Sequence, residues 1–166
     1  MLSGAEGLAC EAARSAPMLE HTLAWSAVNS GSGNLGGLRA MAGMLADAFS
    51  ALPGPVDLVP PDPAEAVDAD GSVRAVAHGD HLVLTVRPDA PVRLLFTGHY
   101  DTVYPVDPPF QAVTRLPDGR INGPGVADMK GGLAIMLAAL KAVETTPDAA
   151  RIGYQVLIDS DEEVGS

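Results

Sequence analysis

One cysteine, Cys10, stands in a chain of 166 residues. An internal disulfide needs two and a thiolate zinc cluster needs more, so both are excluded. Cys10 lies in an Ala-rich stretch and reads as a plain helix residue. Aromatic residues are scarce, at 4%; the apolar mass is Ala, Val and Leu, and its 47% share excludes a disordered tail. Basic residues are few, 10 against 21 acids, for a net charge of −11. That balance argues against nucleic acid, because phosphate binding needs a basic face. It suits a divalent-cation site, where carboxylates are ligands, and it suits a solubility role equally well. No long apolar run is present. The longest strongly apolar stretch, Leu133 to Leu140, is far too short to span a bilayer. Residues 1–20 lack the charged start and apolar run of a signal peptide. A cytoplasmic protein without a membrane segment is expected.

What is present alternates between helical and strand patterns. Residues 6–28 read as a first helix, ended by the turn cluster Asn29-Ser30-Gly31-Ser32-Gly33-Asn34. Asn34 is placed to cap a second helix, along which Leu35, Leu38, Met41, Met44, Leu45 and Phe49 recur at helical spacing. Its methionines read as core rather than as an adaptable binding face. Val56 to Val59 is a short strand, and Pro60 to Asp70 a Pro- and Asp-rich loop. Val73 to Ala77 and Leu82 to Val86 read as a hairpin around His78-Gly79-Asp80-His81. Those histidines could suggest a metal, but the spacing favours a solvated hairpin tip. Val92 to Phe96 and Ile152 to Ile158 read as buried strands, and Leu133 to Val143 as a helix covered on more than one side. Together these elements predict an α/β layered domain.

Three clusters carry candidate chemistry. Gly98-His99-Tyr100-Asp101-Thr102-Val103 leaves the first buried strand. In extended chain His99 and Asp101 point the same way, and a carboxylate beside a ligand histidine can fix its tautomer. Taken alone, the pair reads better as a surface loop. Asn122 to Gly132 leads into the 133–143 helix and contains Asp128. A phosphate loop is disfavoured there by that acid and by the missing Lys-Ser/Thr pair; a plain helix cap and a metal-bridging carboxylate both remain. Asp159-Ser160-Asp161-Glu162-Glu163-Val164-Gly165 follows the last strand, and alone it is an acidic loop. Two of the clusters leave strand ends and the third opens a helix, the edge where α/β sheets bind ligands. Carboxylates brought together there repel by roughly 4 kcal/mol per pair at about 4 Å. Cations relieve that repulsion, and His with carboxylates suits zinc, with cobalt or manganese as substitutes.

In this order the three motifs resemble the dizinc family of glutamate carboxypeptidase, acetylornithine deacetylase and aminoacylase. Trp25-Ser26-Ala27-Val28-Asn29-Ser30-Gly31-Ser32 followed by Asn34-Leu35 is similar to the glutamate carboxypeptidase branch. The resemblance implies a mixed sheet flanked by helices, the N-terminal portion of a zinc-peptidase catalytic domain, across residues 1–166. It implies two Zn2+ ions, with His99 on one, Glu163 on the other and Asp128 bridging both. Glu162 becomes the general base that takes a proton from the attacking water, and Asp101 the acid that orients His99. A cis peptide after Asp128 is implied as well. The implied reaction is hydrolysis of an amide that joins an acyl group to an amino acid or peptide. The alternative is a catalytically incomplete fragment that only binds metal or a partner. Family members are far longer chains. They add a carboxylate ligand, a late histidine ligand and a dimerisation domain, so a homodimer is implied for the full-length form. His21, His78 and His81 do not match the late histidine.

Overall fold

The structure, a computed structural model, describes residues 2–107 and 109–165. Its helices are α1 (Gly4–Arg14), α2 (Met18–Ser26), α3 (Leu35–Phe49) and α4 (Gly131–Glu144). Its strands are β1 (Val56–Val59), β2 (Ala64–Val67), β3 (Val73–Val76), β4 (His81–Val86), β5 (Val92–His99), β6 (Thr114–Arg115), β7 (Ile121–Asn122) and β8 (Ile152–Asp159). This is the expected α/β class with a mixed sheet.

Among the described residues, the main sheet has the order β1-β4-β8-β5. β4 is antiparallel to both β1 and β8, while β5 runs parallel to β8. Parallel neighbours need a crossover, and α4 lies in the connection between β5 and β8. Register sets the core. Leu82 pairs with Ile158, Leu84 with Val156 and Val86 with Tyr154. All six are buried, and the period of two puts them on one face. Leu38, Met41, Leu45 and Phe49 of α3 join them in one cluster with Trp25, Leu133 and Leu137. The methionine at 41 is therefore core, as its spacing suggests.

Several local expectations change. The single helix over 6–28 is two helices, parted at Pro17, which lacks an N–H donor and restricts the residue before it. The 60–70 loop contains a strand, β2, and β2 rather than β4 is the partner of β3. The 73–86 hairpin therefore does not form: β4 turns away to pair with β1 and β8, where its alternating apolar residues find a core. The stretch 92–96 is a strand but not a buried one. It lies at the sheet edge, with Leu94 46% and Leu95 62% exposed, because no described strand pairs with its outer side. The helix over 133–143 is covered as expected, packing against α1, α2 and β5, although Ile135 faces out. No helix is long and apolar enough to cross a membrane, among the described residues.

Candidate metal centre

β5 and β8 are parallel and in register, so His99 lies across from Asp159. The chain leaving β5 carries Asp101, and the chain leaving β8 carries Asp161, Glu162 and Glu163. The Tyr100 N–H donates to the Asp159 carbonyl at 2.9 Å, which extends the ladder past the strand end. The third segment is a kinked turn, Val126–Lys130, that enters α4. Asp128 is not the cap of α4, which removes the plain-cap reading. It sits in non-helical backbone and precedes the expected cis peptide, Asp128–Met129. Gly125 opens this turn at φ 69°, a conformation that favours glycine.

His99, 6% exposed, joins the segments. Its Nε2 is 3.1 Å from Asp128 Oδ1. Its Nδ1 is 3.2 Å from Asp101 Oδ1 and 3.3 Å from the Asp101 carbonyl. With Nδ1 donating to Asp101, Nε2 is the nitrogen left for a ligand role. The His99 backbone N–H donates to the Met129 sulfur at 3.4 Å, so the end of β5 is tied to the turn that carries Asp128. One ligand atom each from His99, Asp128 and Glu163 lies within 4.8 Å of the others. No other three His, Cys, Asp or Glu residues converge this closely among the described residues. Glu162 is exposed beside them, and its charge acts on both His99 and Glu163.

The electrostatics are those of an acid-rich site. Burial pulls the His99 pKa down, but the hydrogen bond to Asp128 and the charges of Asp101, Asp128 and Glu162 leave it above its ordinary value. Burial pushes the Glu163 carboxyl up; Asp128, Asp101 and Glu162 add to the rise, against the opposing charge of His99. A glutamate whose ionisation is opposed by burial and by neighbouring acids, grouped with Asp128 and one imidazole, is a donor set that fits a divalent cation.

Sequence reasoning missed three features. Lys130 is fully buried; its Nζ donates to the Trp25 carbonyl at 3.1 Å and the Val28 carbonyl at 2.9 Å. It ties the end of α2 to the turn that carries Asp128, and burial pushes its pKa down to about 8. Ser32, read only as part of a turn, reaches Asp101 at 2.7 Å. His78 and His81 are not at a solvated tip. His78 Nδ1 is 3.8 Å from Asp161 Oδ2, and His81 Nδ1 is 3.4 Å from Asp159 Oδ1. The turn between them is pressed onto the end of β8, because Ser160 Oγ donates to the Gly79 carbonyl and Tyr100 Oη to the Asp80 carbonyl, both at 2.7 Å. Only the adjacency of Lys130 to the Asp128 motif offered a signal in the chain itself.

Two hollows flank Glu163. One, of about 290 Å³, is walled by Tyr104, Phe110 and Val126 and reaches Asp128. The other, of about 510 Å³, lies between Ser32, Val103 and Val106. Neither has a basic residue in its lining.

Residues 95–166 match the model described as Peptidase family M20/M25/M40. Succinyl-diaminopimelate desuccinylase 2 of Shewanella loihica is 40% identical over 81 residues, 45% of this chain and 21% of that protein. Carboxypeptidase G2 of a Pseudomonas species is 35% identical over 88 residues, 53% of this chain and 21% of that protein. The chain thus spans about a fifth of the length of these curated relatives. Human carnosine dipeptidase 1 has the same fold over 99% of this chain and 36% of its own, with a TM-score of 0.72 at 21% identity.

Proposed function

We propose, for a chain that belongs to peptidase family M20/M25/M40 over residues 95–166, that it supplies metal ligands and the general base to a hydrolase of amide bonds in N-acylated amino acids or peptides. The convergence of His99, Asp128 and Glu163 carries this reading. In it, residues 1–166 form part of one catalytic domain, and the whole protein is a homodimer in the cytoplasm. His99, Asp128 and Glu163 would hold two zinc ions, with Asp128 shared between them; cobalt or manganese could substitute. The chemistry that bound metal supplies is polarisation of the scissile carbonyl and acidification of water. Glu162, exposed at the rim, accepts the proton of the attacking water and returns it to the leaving amine. Asp101, fully buried, holds the His99 ring in one orientation.

The hollow beside Asp128 does not suit an anionic group, because Asp128 and Glu163 lie in its lining beside Tyr104, Phe110 and Val126 and no cation does. Recognition of a substrate carboxylate then falls to residues outside that lining. A second reading, metal binding or an interaction module without turnover, is favoured by the ligand count. Three described ligand residues are fewer than two four-coordinate zinc ions need.

The test is hydrolysis of N-acyl amino acids by the zinc-supplied full-length protein and by its Glu162→Ala variant, residues 1–166 alone being expected to be inactive. We expect Glu162→Ala to lower kcat by about 10²- to 10⁴-fold with zinc content unchanged. Equal activity in the variant rejects the role of Glu162. Zinc uptake without turnover by the unaltered protein supports the second reading.

A further inference from the structure

Asp101 is the most connected acid of the site, and it is fully buried. Its Oδ1 is the oxygen that faces His99 Nδ1 at 3.2 Å. Its Oδ2 accepts the Glu163 backbone N–H at 3.2 Å and the Ser32 hydroxyl at 2.7 Å. One carboxylate therefore touches the histidine that ends β5, the glutamate after β8 and the turn before α3. We infer that Ser32 is a positioning residue for the metal centre: through Asp101 it sets the orientation of His99 and Glu163 together. The inference rests on the cation reading of His99, Asp128 and Glu163.

The turn that carries Ser32 is itself held. The Ser32 N–H donates to the Thr102 carbonyl at 3.1 Å, and the Thr102 N–H donates to the Ser30 carbonyl at 3.0 Å. Ser30 Oγ donates to the Tyr100 carbonyl at 2.6 Å. Gly31 bridges Thr102 in parallel, and a Cβ there would collide with the Tyr104 carbonyl. The turn can come this close only with glycine at that position. The Ser32 hydroxyl is thus delivered to Asp101 by backbone pairing rather than by a free side chain.

A carboxylate rotates in a broad, two-fold torsional well, so burial alone does not choose its plane. The short Ser32 bond and the longer Glu163 bond both end on Oδ2, which leaves Oδ1 for His99. Without the hydroxyl, Oδ2 keeps only the 3.2 Å donor. The carboxylate can then turn, and the two ligand residues lose their common reference. The effect is transmitted and not catalytic, since Ser32 belongs to neither the ligand group nor the proton path.

The test compares the unaltered chain with Ser32→Ala and Ser32→Thr. Without metal, NMR reads the His99 ring nitrogens and the hydrogen exchange of the Glu163 amide. We expect Ser32→Ala to change the His99 tautomer balance and to speed exchange at Glu163 by about tenfold. Titration with Co2+, followed by its visible absorption, should show affinity about tenfold weaker in Ser32→Ala and within about threefold of the unaltered chain in Ser32→Thr. Matching melting curves exclude general unfolding. Should Ser32→Ala fail to fold, Ser32→Cys takes its place, because it keeps the size and a weaker donor.

Unchanged His99 and Glu163 signals in Ser32→Ala overturn the inference. Equal effects of Ala and Thr also overturn it, because they assign the change to space rather than to the hydroxyl. An unaltered chain that binds no Co2+ sinks the cation reading instead; the metal-free spectra then still decide whether Ser32 orients the two residues.

Discussion

Histidine meets carboxylate in two places near the end of β8, and the two places differ. His99 has a carboxylate at each ring nitrogen, Asp101 and Asp128, and Glu163 within ligand reach. His78 and His81 each have one acid, Asp161 and Asp159, and their Nδ1 atoms are buried without a hydrogen-bond partner. The residue types are the same. The difference is convergence: the 99–101 and 161–163 stretches leave parallel, in-register strands, and the Asp128 turn closes over them. The two histidines of the 78–81 turn find acids only from the end of β8, one each, and so form pairs and no triad. A metal centre needs several chain segments aimed at one point, and pairs of suitable side chains do not make one.

The largest expected contrast is in cation binding. His99→Ala should weaken Co2+ affinity by more than about 100-fold, while His78→Ala and His81→Ala stay within about threefold. Absorption titration measures all three. A large loss in His78→Ala would break the comparison, by making the second turn part of the centre.

The next contrast is in pH. His99 must be neutral to act as a ligand, and its pKa lies above the ordinary 6.5. Co2+ affinity should therefore rise by about tenfold per pH unit below that pKa and flatten above it. His99→Ala should remove the slope from whatever binding remains, and His81→Ala should keep it.

The smallest contrast is in stability. Burial raises the carboxyl pKa of Asp159 in the second place and of Glu163 in the first. A carboxyl raised above its unfolded value contributes stability at pH below that unfolded value, and the contribution is lost as pH rises through the folded one. Near neutral pH both charges are then a cost, modest because both groups reach solvent. Asp159→Asn and Glu163→Gln should each raise the metal-free melting temperature at pH 7 by about 1–2 °C. Only Glu163→Gln should also lose Co2+ binding. Calorimetry with and without metal checks both halves, and a stabilised Asp159→Asn that fails to bind would blur the distinction.

Much of the sheet was legible because β4 and β8 alternate or run apolar over lengths that only strands use. α3 was legible from its spacing and from the Asn34 cap, which accepts the Gly37 N–H at 3.1 Å. The hairpin reading of 73–86 failed because short range favours neighbours, whereas β4 gained a buried face only beside β8. The buried reading of 92–96 failed because apolar content does not say which strand lies at an edge. The five candidate residues of the centre were legible as motifs, yet Ser32 and the Asp161 and Asp159 pairings were not. Those contacts join positions 69 to 83 residues apart, and nothing local encodes such a distance.

The chain by itself determined which groups are available: one cysteine, hence no thiolate cluster, and ordered His, Asp and Glu motifs at strand and helix ends. It also determined the periodicities that make helices and strands, because these depend on near neighbours. Only the tertiary structure decided which histidine faces two carboxylates, which turn is buried, and which serine reaches Asp101. Those outcomes follow from strand register and turn closure, which are settled by packing across the whole sheet and not by any segment alone.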